Sequence, residues 1–140
     1  MTDWPITWII AAIAALIGTA MGLASFLRPR WGANVVRLAV REDRPGGWAE
    51  FRASYGLGFA LLHASVLLTL AMSAQAGEGS VIGTSFAVAV YWLGMGLGRL
   101  TSMALDAGKG TRTGYNLFSV GFELALGAML LAPFAGHLGR

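Results

Sequence analysis

The chain has 140 residues, and with 56% hydrophobic against 12% charged side chains it carries about half the charged share of a soluble domain, roughly 25%, which excludes an ordinary water-soluble fold. The length allows a single domain, residues 1–140, and little beyond loops and tails stays outside a bilayer once the apolar runs are subtracted. Cysteine is absent, so disulfides, thiol catalysis, iron–sulfur clusters and thiolate zinc sites are excluded together, and a net charge of +3 in so apolar a chain reports membrane orientation rather than nucleic acid.

The first apolar run, Trp4 to Leu27, holds 24 residues without a charge, and about 20 helical residues cross a ~30 Å hydrocarbon core. A secretory signal would need a basic start and a shorter apolar region, whereas Asp3 opens this one, so it reads as mature structure. The following segment, Arg28 to Arg52, contains six arginines. Within it, Ala33 to Glu42 mixes Val35, Val36, Leu38 and Val40 with Arg37 and Arg41. Arg37, Arg41 and Arg44 fall at i, i+4 and i+7, which predicts a short amphipathic helix with a basic face on anionic headgroups and valines dipping into the interface. A plain solvated loop is the alternative. Arg44, Pro45, Gly46 and Gly47 then break the helix. Three further spans follow at about 53–76, 81–103 and 115–135. The fold class is therefore an all-α integral membrane protein, a bundle of four transmembrane helices with a short interfacial helix between the first two.

Nine of the ten lysines and arginines fall on one side of this topology, and only Arg140 falls opposite. The positive-inside rule makes that side cytoplasmic, with both termini periplasmic in a bacterial inner membrane. Trp4 and Trp8 at one end, and Trp31 and Trp48 at the other, sit where interfacial aromatic belts belong.

Helices in lipid associate through close packing of small residues, because lipid tails are as apolar as leucine. Gly18 with Gly22, and Gly94 with Gly98, form small-x-x-x-small pairs that either tighten the bundle or mark a surface for a partner helix. Glu123 lies about 12 Å into the fourth span, at 1.5 Å per residue. A charge at that depth costs roughly 2.5–3.5 kcal/mol on insertion scales, so it faces inward and finds a partner. Arg99 is the obvious one, with Arg52 competing. Asn116, Ser119 and Glu123 share one face of the fourth span, and Arg52, Tyr55, Phe59 and His63 align on the second. If these faces meet, they form a polar pocket whose mouth Glu50 and Asp106 close. The pocket reads either as a site for a small molecule, lipid headgroup or proton, or as an ion-pair staple fixing helix register. His63 alone reads as a neutral interhelical hydrogen-bonding group. No nucleophile with a base, no phosphate-cradling loop and no metal motif is present, so no catalytic residue, metal or cofactor is expected.

Glu50-Phe51-Arg52-Ala53-Ser54-Tyr55-Gly56 entering the second span, Arg99 and Asp106 closing the third, and Glu123 in the fourth resemble the bacterial membrane family called domain of unknown function 4345. The likeness covers roughly Glu50 to Phe134, three of the four spans. Where the family pattern carries a second glycine after Gly56, this chain has Leu57. The resemblance implies a four-helix inner-membrane protein, supplies no activity, and singles out the charged positions already chosen from burial cost.

Two functional expectations follow from these residues. The first is a non-enzymatic accessory or structural subunit packing against other membrane-protein subunits or itself, suggested by small size, abundant glycine and the lack of catalytic motifs. The second is a protein that binds or transports a lipid or small lipophilic molecule, with Arg52, Arg99 and Glu123 holding its polar head. A small membrane isomerase using Glu123 as acid or base ranks behind both.

Overall fold

The computed structural model describes residues Trp4 to Leu138; Asp3 and Arg140 lie outside the described residues. Four helices are long and apolar enough to cross a membrane: Ile6–Leu27, Gly47–Ala71, Glu78–Leu105 and Gly114–Leu138. They are the four expected spans, but three of them run past their apolar stretches. The second starts six residues before the expected 53 and ends five before the expected 76 (53 − 47 and 76 − 71). Hydropathy marks only the part of a helix that needs lipid; backbone hydrogen bonding continues as far as the chain permits, here back to Gly47, whose N–H bonds the Arg44 carbonyl.

The second span is not uniform. It opens with an α-helical turn at Gly47–Phe51, widens into a π-helix over Arg52–Gly58, and returns to α-helix over Phe59–Ala71. It ends at Met72, a short helical turn covers Ser73–Ala76, and Gly77 at φ +79° turns the chain into span three. A left-handed backbone of this kind suits glycine, which has no β-carbon to clash.

Around the bundle, span three packs most extensively on span four, span one on spans two and four, and span two on span three. The core mixes small and branched residues: Ala14 and Ala15 from span one, Val66 and Leu70 from span two, Val88 and Trp92 from span three, and Leu126 and Leu130 from span four. Alanines on span one let its neighbours approach closely, which is how packing replaces hydrophobic burial as the cohesive force in lipid.

Gly18 and Gly22 belong to this seam. A β-carbon on Gly18 would lie 2.0 Å from the His63 ring, and one on Gly22 would lie 2.5 Å from the Ala60 nitrogen. Gly94 and Gly98, expected to do the same for span three, instead face outward, and a β-carbon on either would meet nothing within 4 Å. The glycines that admit a neighbour there are Gly96, against Leu124, and Gly127, against Leu93. Spacing alone finds a glycine stripe but not the side of the helix it occupies.

The interfacial helix also differs from expectation. It spans Pro29–Val36 rather than Ala33 to Glu42. Proline at its first position suits a helix start, where the missing N–H has no intrahelical role. Arg37 stops it by adopting φ +56°. The Leu38 N–H returns to the Ala33 carbonyl at 2.9 Å and the Arg37 N–H to Asn34 at 3.2 Å, the paired bonds of a Schellman terminus. Arg37, Arg41 and Arg44 therefore share no helical face. Arg41 pairs with Asp43 at 2.8 Å in the exposed connection, and Arg37 turns toward span four.

Candidate functional site

At the arginine-rich end the four spans line a half-open cavity of about 580 Å³, within the range of small-molecule sites, roughly 300–1,000 Å³. Its walls come from every span: Met21 and Ser25 of span one, Tyr55 and Phe59 of span two, Tyr91, Trp92, Met95 and Arg99 of span three, and Asn116, Ser119, Phe122 and Glu123 of span four. Trp31, Gly32 and Val35 of the short helix roof it. The roof is fastened to span four at two points. The Tyr115 hydroxyl donates to the Val35 carbonyl, and the Arg37 guanidinium sits 3.8 Å over the Tyr115 ring, a cation–π arrangement.

The polar wall is an ion pair between spans three and four. Arg99 Nη2 lies 2.6 Å from Glu123 Oε1, and Arg99 Nε lies 3.2 and 3.1 Å from Oε1 and Oε2. Arg99 Nη1 donates a longer bond, 3.4 Å, to Asn116 Oδ1. Exposure is uneven: the Arg99 side chain is 31% accessible and that of Glu123 only 7%. A guanidinium has five N–H donors. The one on Nε, one on Nη1 and one on Nη2 are engaged, which leaves one N–H on each terminal nitrogen without a protein acceptor, on a residue that lines the cavity. Asn116 is itself held by its amide, which donates to the Thr111 carbonyl at 2.7 Å, and Ser119 spends its hydroxyl on the Tyr115 carbonyl at 2.9 Å.

The expected polar set thus divides. Arg99, Asn116, Ser119, Glu123 and Tyr55 line one cavity. Arg52 does not reach Glu123: it donates to the Phe26 carbonyl at the end of span one, a place where a cation meets unsatisfied helix carbonyls. Glu50 accepts from Ser54 one turn away, at 2.8 Å, and Asp106 binds Lys109 and Ser102. Neither closes the cavity mouth. Asp106 lies beyond the end of span three, and the Lys109 ammonium, followed by the Ser102 hydroxyl, holds its carboxyl below the ordinary carboxylate range.

Span two supplies a second polar pair, beside the cavity. His63 is fully buried, its Nδ1 lies 2.8 Å from the Phe59 carbonyl, and its Nε2 accepts from Trp92 Nε1 at 2.7 Å. A carbonyl accepts only, and an indole N–H donates only. The two partners therefore assign the proton to Nδ1 and a neutral ring, with no ring nitrogen left over. Among the described residues no group of three or more His, Asp or Glu is placed to hold a metal ion.

Beyond Tyr55 and Phe59, the aromatic walls are what sequence reading missed. Phe59 meets Tyr91 and Trp92 at centroid separations of 6.1 and 5.6 Å, and Trp92 meets Phe122 at 5.9 Å, all edge to face. Spacing carries the signal: Trp92, Met95 and Arg99 fall at i, i+3 and i+7, and Phe122 adjoins Glu123. No known family model, curated protein or solved structure matches the chain, so the geometry of this cavity is the guide to its use.

Proposed function

We propose that this membrane protein binds a lipid or small lipophilic molecule in the cavity beneath the short helix, at the cytoplasmic face of a bacterial inner membrane. The single observation that carries the reading is the coincidence of a half-open, aromatic-walled cavity with a part-buried ion pair whose arginine keeps N–H groups without a protein acceptor. The cytoplasmic assignment rests on the arginines gathered at this end. The four-helix family that the motifs resemble has no assigned activity, so it does not bear on the choice.

Native mass spectrometry of the protein, taken from its own membrane in mild detergent, tests the reading. A retained small molecule is expected on the parent chain and not on Met95→Trp, which fills the cavity. Exchanging the charges, Arg99→Glu with Glu123→Arg, is expected to abolish retention, whereas a pure staple tolerates it. Equal retention by parent and Met95→Trp sinks the proposal.

A second reading, an accessory subunit, is favoured by Gly94 and Gly98, which offer a bare backbone strip on the outer face of span three. A stoichiometric membrane subunit that is lost on Gly94→Leu, with no small molecule retained, would replace the first reading by the second.

A further inference from the structure

Resting on the binding reading above, we infer that the cavity selects an uncharged, flat, lipophilic ring that carries a carbonyl oxygen, such as an alkylated quinone or aromatic ketone, over fatty anions and cations. Three features of the wall converge on that class.

The first is charge. Among the described residues, Arg99 and Glu123 are the only charged ones lining the cavity, and they cancel. An anion drawn to Arg99 would bring its charge beside the Glu123 carboxylate, which is already 2.6 Å from the same guanidinium. A cation would meet Arg99 first, because Glu123 is shielded behind it, 7% against 31% accessible. Like charges at such range in a low-dielectric site repel strongly, so both ions are disfavoured.

The second is hydrogen-bond polarity. What the pair presents to the cavity is donor: the unengaged N–H on each Arg99 terminal nitrogen. Beside it, Ser119 donates to Tyr115 and the Asn116 amide to Thr111, and the Tyr55 and Tyr91 hydroxyls and the Trp31 indole N–H on the wall add further donors. The complementary group is an acceptor without a proton to place, which describes a carbonyl better than a hydroxyl or an amine. A hydrogen bond from a charged donor to a neutral carbonyl is among the stronger kinds available.

The third is shape. Tyr91, Phe59, Trp92 and Phe122 form a chain of edge-to-face contacts with interplanar angles of 60°, 76° and 82°. Trp92 at the centre is buried, while Phe59, Phe122 and Tyr91 keep accessible surface on the cavity wall, against which a further ring can pack, offset-stacked or edge to face. Tyr55 and Tyr91 line the cavity and are exposed, and the cavity is open rather than sealed, so a ligand's tail need not fit inside it.

The test uses the full chain in lipid nanodiscs with three probes that share a ten-carbon tail: 2-decyl-1,4-benzoquinone, decanoate and decyltrimethylammonium. Binding is read by native mass spectrometry and calorimetry. The quinone is expected to bind at least about tenfold tighter than either ion. Its affinity should fall by about tenfold in Arg99→Leu/Glu123→Leu, the loss of one hydrogen bond from a charged donor. That double variant keeps the volume apolar, and its melting curve checks that it folds. Tighter binding of decanoate or of the ammonium, or a quinone affinity unchanged in the double variant, overturns the ligand class while leaving the cavity as a binding site. No probe binding above what Met95→Trp retains overturns both.

Discussion

His63 with Trp92, and Arg99 with Glu123, are polar pairs inside one bundle that are built to opposite rules. His63 and Trp92 are saturated: both ring nitrogens of His63 are bonded, the ring is fully buried, and Gly18 leaves it no slack. Arg99 and Glu123 are unsaturated: the pair satisfies its acid, leaves part of its base unbonded, and borders a cavity. In lipid, where each stray donor is expensive, a saturated pair fixes helix positions and an unsaturated one awaits a partner. Polar residues in a membrane span are thus better sorted by the hydrogen bonds they leave over than by their charge.

The largest effect that tests this contrast is Arg99→Leu. It strands the shielded Glu123 carboxylate and should cost about 3–5 kcal/mol, as removing one member of a buried pair does, whereas Arg99→Leu/Glu123→Leu should lie close to the parent. Unfolding in mixed micelles measures both; a double variant as damaged as the single would make this pair as structural as the other. Next comes Gly18→Ala, expected to cost about 1–3 kcal/mol by overpacking, since the new methyl displaces His63 from Trp92. The same change at Gly94 should leave the monomer's melting temperature near the parent's, and a comparable loss there would show that the outer strip is packed. Trp92→Phe should cost about 1 kcal/mol, leaving His63 Nε2 without its donor. If stability is unchanged, the saturated pair is not what holds spans two and three together.

The smallest effect lies outside the spans. Asp106 is held below the ordinary carboxylate range by Lys109 and Ser102, so its ionised form is favoured by folding. That contribution is present above the unfolded carboxylate value, about 3.9, and is lost as pH falls through the lower folded one. Asp106→Asn should therefore melt with a shallower acid dependence than the parent below about pH 4, and parallel profiles would remove the turn from the account.

How much of this is legible in the sequence differs by residue. The spans are, because a run such as Ile6–Leu27 has nowhere else to go. So is the meeting of Arg99 with Glu123, since the expense of a charge at that depth demands a partner. Spacing misplaces Arg52 as a competitor, because one dimension does not show that the Phe26 carbonyl is nearer. The arginines at 37, 41 and 44 suggest a helix that Arg37 itself ends, while Pro29 is the better signal for its start. Gly94 and Gly98 match the packing motif of Gly18 and Gly22, yet only tertiary structure distinguishes a glycine facing Ala60 from one facing outward. The cavity is invisible as a volume: its walls are drawn from five elements, and no window of sequence contains them.

The π-helical stretch Arg52–Gly58 bears on how this chain tolerates insertions and deletions. A turn closed by i to i+5 bonds holds one residue more than its α-helical counterpart, and Gly58 makes room for it, since a β-carbon there would lie 2.7 Å from the Ala53 carbonyl oxygen. Removing one residue within the stretch takes out that extra residue and restores ordinary winding with the helix on either side still in register, whereas the same deletion in the α-helical part turns everything before it by about 100° about the axis. The segment that brings Tyr55 to the cavity is thus also the place where span two can lose one residue and keep its start aligned with the His63 seam.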